Sequence, residues 1–222
     1  LEAVDSEVGF GVKLIVPVLN RFDLLKRMVE SIDVQATVYV INNSGEKQDF
    51  EYDNPLVEMH WLDMPSNLGC STSWNLGIKM LPFESKWIIT SADAYFLPGA
   101  CQMFADAADD EITLCNSFPH WQTWSVGQKV IEKIGLFDEG IHPAYFEDTE
   151  YEWRARQSGV KITYLPIPIG HDNSSTIGEP KYSARNGISF ANNQIYFNNK
   201  TAQNKLDQGV WSLLTRRTNS WD

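Results

Sequence analysis

The chain has 222 residues, 43% of them hydrophobic, and a formal net charge of -11. That is enough for one large core of layered α/β type, with no need for a second. The acidic balance argues against a counterion-releasing grip on nucleic acid and against docking on an anionic membrane surface, so a bound phosphate would need a cation or backbone amides.

Residues 12–18 form a β-branched run containing Pro17, and residues 23–32 place Leu24, Leu25, Met28, Val29 and Ile32 at helical spacing, predicting strand, loop and amphipathic helix. A second strand over 37–41 ends in the turn-forming Asn42-Asn43-Ser44-Gly45, and a third over 57–62 ends near Pro65. Asn67-Leu68-Gly69 follows, with Ser71 as the expected N-cap of a helix burying Trp74, Ile78 and Leu81, and then a fourth strand over 87–90. Strands alternating with helices through short polar connections predict a mostly parallel sheet covered on both faces, with ligands beyond the carboxyl ends of its strands.

A helix over 99–108 and a strand over 112–116 come next. Residues 118–128 concentrate Phe118, His120, Trp121 and Trp124 among polar residues and read as a binding wall rather than a simple strand. A short helix over 129–134, a charged helix over 148–158 and a strand over 161–165 complete a domain assigned to residues 1–180. Residues 181–222 are rich in Asn, Gln and Ser and read as an extension of short helices packed on that domain. No apolar run reaches membrane-spanning length, and the first residues lack a signal-peptide pattern. The scattered Cys70, Cys101 and Cys115 have no metal-ligand spacing, so the expectation is a soluble cytoplasmic protein with reduced, buried thiols.

Three segments carry possible chemistry. Asp93 closes an apolar strand, where its carboxylate would reach the ligand crevice, and a cation bridging phosphates can rest on few protein oxygens. Phe146-Glu147-Asp148-Thr149-Glu150 puts carboxylates at a helix start, where they favour the macrodipole. Tyr145 and Phe146 beside them would partly desolvate Glu147 and Asp148, the two candidates for a general base. Arg154 and Arg156 fit ion pairs within the helix, such as Glu150 with Arg154. His171 follows a short apolar strand, and its imidazole with Asp93 could hold a manganese-like cation from two sides. Trp121 and Trp124 could stack on a sugar face or fill the core. Walker, dinucleotide and Gly-x-Ser-x-Gly signatures are absent.

In their order these residues resemble the inverting glycosyltransferases of the GT-A fold, family 2-like, over roughly residues 12–176. Pro17, Val18 and Asn20 in Val16-Pro17-Val18-Leu19-Asn20-Arg21 are similar to the first strand and base-holding loop. Asn67-Leu68-Gly69, with Ser73, Asn75 and Gly77, resembles the donor-lining segment. Ser91-Ala92-Asp93 occupies the place of the Asp-x-Asp motif, Phe137-Asp138-Glu139 through Glu147-Asp148 that of the segment bearing the base, and His171 with Ser174 and Thr176 that of the late metal-binding histidine.

The resemblance implies a Rossmann-like GT-A domain that moves a hexose from a nucleotide-diphosphate sugar, UDP-sugar favoured, to an acceptor hydroxyl. It implies Asp148 as base and a divalent cation, Mn2+ or Mg2+, on Asp93 and His171. Pro17, Val18, Asn20, Asn43, Asn67, Gly69, Ser73, Ser91 and Ala92 would line the donor site; Trp121, Trp124 and Glu147 would face the acceptor or sugar. Lys181 and Tyr182 would close over the diphosphate. The chain departs from the pattern where Ser91 replaces the first acid and where Asn42-Asn43 stands in place of a base-contacting Asp. A GT-A module that binds without transferring, or a sugar nucleotidyltransferase, is the competing expectation; the latter lacks its glycine-rich first loop.

Overall fold

The computed structural model describes residues 11–172 and 180–211. Strands β1 (Val12–Val18), β2 (Ala36–Asn42) and β3 (Val57–Asp63) run parallel, joined through helix α1 (Phe22–Glu30) and the loop before β3. Helix α2 (Cys70–Met80) then carries the chain back across the sheet, so β4 (Lys86–Thr90) pairs with the other side of β1. The reversal makes β1 and β4 a topological switch point, where a crevice opens beyond the strand ends. Pro17 shows how it opens. The Asn43 amide donates to the Val18 carbonyl at 2.8 Å, so by alternation Pro17 turns its missing N–H toward β4. The pairing of β1 with β4 covers only Leu14–Ile15 and Ile88–Ile89, so no ladder bond is lost where the strands part.

Beyond β4 come β5 (Ala94–Phe96), α3 (Ala100–Asp106), β6 (Ile112–Cys115), a 3-10 turn (His120–Gln122), β7 (Thr123–Gly127), α4 (Gln128–Ile134), α5 (Glu147–Gln157), β8 (Ile162–Leu165), β9 (Ile169–His171) and α6 (Pro180–Ala202). The main sheet has seven strands in the order β3-β2-β1-β4-β7-β6-β8; β7 is antiparallel to both neighbours and the other pairs are parallel. β5 and β9 form a separate antiparallel ribbon. Leu14, Val16, Val38 and Val40 point to one face with Leu25, Met28 and Phe104, while Ile15, Ile41 and Ile89 point to the other with Trp74, Ile78, Val130 and Tyr151. Each such aliphatic side chain, fully buried, contributes about 1.5–3 kcal/mol. Gly77 admits this packing: a Cβ there would lie 2.4 Å from Ile15.

Four expectations change. The helix burying Trp74 starts at Cys70 behind Gly69, and Ser71 is a buried interior residue rather than its cap. Residues 123–127, read as part of a binding wall, form a central strand, because Trp124 packs edge-on against Trp74 at 4.6 Å and fills the core. His171 is the last residue of β9 rather than a residue beyond a strand. Among its described residues the tail has one helix of 23 residues where several short ones were expected. Its far end is held by a buried charge network in which Lys200 Nζ lies 2.6 Å from Asp138 and 2.7 Å from Glu150, and Glu150 pairs with Arg154. Among the described residues no helix is long and apolar enough to cross a membrane.

Candidate active site

A cavity of about 640 Å³ lies at the switch point. Pro17, Val18 and Leu19 from the end of β1, Asn43 from the end of β2, and Ser91, Ala92 and Asp93 from the end of β4 form its floor. Asn67, Gly69 and Cys70 give one wall, continued by His142, Pro143, Ala144 and Tyr145 of the loop packed against it, and Trp74, Trp121 and Trp124 give an aromatic side. Tyr182, Arg185 and Asn186 of α6 cover it.

Local bonding explains the placement of the residues expected on a donor side. Asn67 Oδ1 accepts from the Gly69 amide at 2.9 Å, closing an Asx turn. Gly69 has φ 77°, and a Cβ there would lie 2.7 Å from both His142 Nδ1 and the Pro143 carbonyl oxygen, so only glycine fits between the two loops. Asn43 is buried: its Nδ2 donates to Ser73 Oγ at 2.9 Å and its Oδ1 accepts from the Leu68 amide at 3.1 Å. Ser73 in turn donates to the Gly69 carbonyl at 2.6 Å, so this pair shapes the 67–70 turn. Ser73 and Asn20 are not among the residues lining the cavity. Ser91 donates its hydroxyl to the Gln122 carbonyl at 3.0 Å, fastening β4 to the turn before β7 where the resemblance expected an acid.

Asp93 and His171, far apart in sequence, come together. The ribbon register sets Ala94 opposite His171, and His171 Nε2 lies 3.0 Å from Asp93 Oδ1, both side chains nearly buried. Adjacent ligands on an octahedral cation with bonds of roughly 2.1 Å sit about 3 Å apart, so this spacing suits one shared cation. The buried Nδ1 of His171 has no hydrogen-bond partner among the described residues. No cluster of three or more His, Cys, Asp or Glu suited to a metal occurs among them. Ser174 and Thr176 lie outside the described residues.

Glu147 and Asp148 open α5 and do not line the cavity themselves, but Cys70 and Tyr145 beside them do. Tyr145 and Phe146 hold positive φ of 73° and 77°, a conformation costing bulky residues about 1–3 kcal/mol each. α6 sustains it. Asn193 Nδ2 donates to the carbonyls of Ala144 at 2.9 Å and Tyr145 at 3.1 Å, and Phe190 packs on both aromatic rings. Burial, and then the charge of Asp148, pushes the Glu147 carboxyl up to about 8. Its Oε2 is buried without a hydrogen-bond partner. Asp148 is half-buried; burial raises its carboxyl too, while the amide and hydroxyl of Thr149 pull it back. The environments thus separate two neighbouring acids, with the proton kept longer on Glu147.

No protein-family model matches the sequence, and no curated protein matches it. Solved structures do. Drosophila β1,4-galactosyltransferase 7, in complex with manganese, UDP-Gal and xylobiose, superposes with a TM-score of 0.51 at 13% identity, over 75% of this chain and 72% of that one. Glucosyl-3-phosphoglycerate synthase from Mycobacterium tuberculosis, with Mn2+, UDP and phosphoglyceric acid, gives 0.53 at 8% identity over 83% and 78%. S. aureus TarS 1–349 in complex with UDP gives 0.52 at 13%, over 71% of this chain and 58% of that one.

The chain has the GT-A fold. In this GT-A chain, His142, Arg185 and Asn186 join the cavity without having been expected from sequence. For the last two, the only signal was the proline-free stretch from 181 to 202, consistent with one long helix. Tyr182, expected as part of a lid, does line the cavity. Trp121 is half-buried, donating its indole N–H to Glu152 at 3.3 Å, and Trp124 reaches the cavity as a fully packed core residue.

Proposed function

We propose that the chain is an inverting glycosyltransferase that moves a hexose from a UDP-sugar to an acceptor hydroxyl, with Asp148 as general base. The observation that carries this reading is the meeting of Asp93, which lines the β1–β4 cavity of a GT-A fold, with His171 behind it, 3.0 Å away. The cavity is of a size for a nucleotide sugar. The ligands of the galactosyltransferase, the synthase and TarS, each bound to UDP or a UDP-sugar, support that donor class.

Asp93 and His171 would hold a divalent cation, Mn2+ or Mg2+, which when bound supplies positive charge to a departing nucleoside diphosphate. The end of β1 and the Asn67–Gly69 turn would seat the nucleotide, and the aromatic side would exclude water. Asp148 would take the acceptor hydroxyl's proton as that oxygen attacks the anomeric carbon. Burial pushes the Glu147 carboxyl up to about 8, so Glu147 is the less suited of the two acids to accept a proton.

Asp148→Asn tests the assignment. UDP binding in the presence of Mn2+, measured by thermal shift, is expected to persist. Transfer from UDP-sugars is expected to fall about 10²–10⁴-fold. Near-normal transfer removes Asp148 from the role. Binding without any transfer in the unmodified protein, across a panel of donors and acceptors, favours the reading as a binding module, for which Ser91 in the place of an acid is the specific observation.

A further inference from the structure

The Asp93–His171 pair rests on a slender support. β5 and β9 contribute three residues each, and a two-stranded ribbon alone is marginally stable. α1 fastens it. Ser31, at the end of that helix, accepts from the Phe96 amide at 2.9 Å, and Arg27, one turn earlier, reaches the ribbon in three ways. Its Nη1 pairs with Asp172 at 2.8 Å, its Nη2 donates to the Asp93 carbonyl at 3.2 Å, and its guanidinium lies 4.5 Å over the Tyr95 ring. Tyr95 stands opposite Gly170 in the register, and a Cβ on residue 170 would sit 1.9 Å from the ring's Cζ. The ring therefore crosses β9 over a glycine, a pairing that pins strand register. The Asp172 amide closes the ribbon end by donating to the Asp93 carbonyl at 3.1 Å.

We infer that Arg27, Tyr95 and Gly170 form a clamp that fixes the spacing of Asp93 and His171, making Arg27 a positioning residue for the cation these two would share. The inference rests on the donor and cation reading proposed above. Arg27 does not line the cavity, so its effect passes through the ribbon rather than through contact with nucleotide. The need for such a clamp follows from the ligand set. With Ser91 bonded to the Gln122 carbonyl, the described residues offer two ligands here rather than three, and a sparse site gains most from having its ligands held in place before the cation arrives. Asp172, held by Arg27, is turned to the clamp and not offered as a third acid.

The test measures UDP binding by calorimetry with MnCl2 and with EDTA, on the full chain and on Arg27→Met, Arg27→Lys and Tyr95→Leu. Arg27→Met and Tyr95→Leu are expected to weaken Mn2+-dependent UDP binding about 10–100-fold, the range typical for loss of a group that orients metal ligands. Binding in EDTA should stay unchanged. Arg27→Lys keeps the charge facing Asp172 and the Tyr95 ring but loses the planar fork, and should recover part of the loss. Unfolding midpoints in EDTA identify a variant that simply fails to fold, and Arg27→Met, at a partly exposed helix position, stands if Tyr95→Leu does not. Wild-type manganese dependence in a folded Arg27→Met overturns the clamp. An unmodified protein that binds no UDP, or binds it equally with and without manganese, overturns instead the donor and cation reading on which the clamp rests.

Discussion

Replacing Glu147 by Gln isolates the cost of keeping an acid in a closed site. Burial first and the neighbouring Asp148 second move the Glu147 carboxyl from its ordinary 4.5 to about 8. The unfolded chain ionises this group near 4.5, while the folded chain keeps the proton until about 8. Between these values the native state binds more protons, so stability is full below the lower value and falls as pH rises through the upper one. At about 1.4 kcal/mol per pH unit the gap sets a ceiling of roughly 4–5 kcal/mol. Part of it belongs to the Glu147–Asp148 pair rather than to Glu147 alone, so about 3 kcal/mol is a fair expectation. Gln has the same shape and no charge to lose. Glu147→Gln should therefore come closest to the unmodified protein near pH 5 and exceed it most above pH 8, by about 6–12 °C in unfolding midpoint for a chain of this size. Thermal unfolding of both proteins from about pH 5 to 9 reads this directly. Parallel curves across the range would show that the carboxyl is ionised and accommodated in the folded state, and the argument from burial would fail.

Two further changes probe how α6 is tied to the site. Lys200→Met removes the cation between Asp138 and Glu150, both fully buried, and breaking such a network from one side costs about 3–5 kcal/mol. A fall of roughly 6–20 °C in unfolding midpoint is expected, and a loss under about 2 °C would show the network to be idle. Asn193→Ala deletes the bonds to the Ala144 and Tyr145 carbonyls that sustain two positive-φ residues just before Asp148. If Asp148 is the base proposed above, turnover should drop about tenfold or more while UDP affinity holds, since misplacing it loses rate without touching the nucleotide; an equal loss in both would place Asn193 in general stability.

The first half of the fold was readable because β1, β2 and β4 are rich in β-branched residues and end near Asn, Ser and Pro, and because the helix spacing after β1 is clean. β1 to β4 differ from expectation only by a residue or so at their ends. The later part resisted for a physical reason. β7 runs antiparallel inside a parallel sheet, and Trp121, Trp124 and Trp74 pack together through contacts between distant segments, so aromatic density looked like a surface feature when much of it is core. Asp93 and His171 could be named from their places near strand ends, but their approach depends on a ribbon register that leaves no local trace. Likewise, Glu147 looked like the companion of Asp148; its burial comes from the meeting of α5 with Cys70 on α2 and with the 142–146 loop.

α6 shows most clearly why composition misleads here. Its sequence is polar, with Asn recurring, and intrinsic propensity argues for fragments. What makes it one helix is the work done at three points along it: Lys200 is buried among acids at one end, Asn193 holds the 142–146 loop in its middle, and Tyr182, Arg185 and Asn186 cover the cavity near the other end. The loop it holds is also the one against which Gly69 packs, with the Cys70 amide donating to the Pro143 carbonyl at 2.7 Å and His142 Nδ1 lying 3.1 Å from the Leu68 carbonyl. The 67–70 turn and the start of the acid-bearing helix are therefore one packed unit braced by α6. A change in the tail should be felt first as a change in how Asp148 is placed, before it is felt as a change in the sheet.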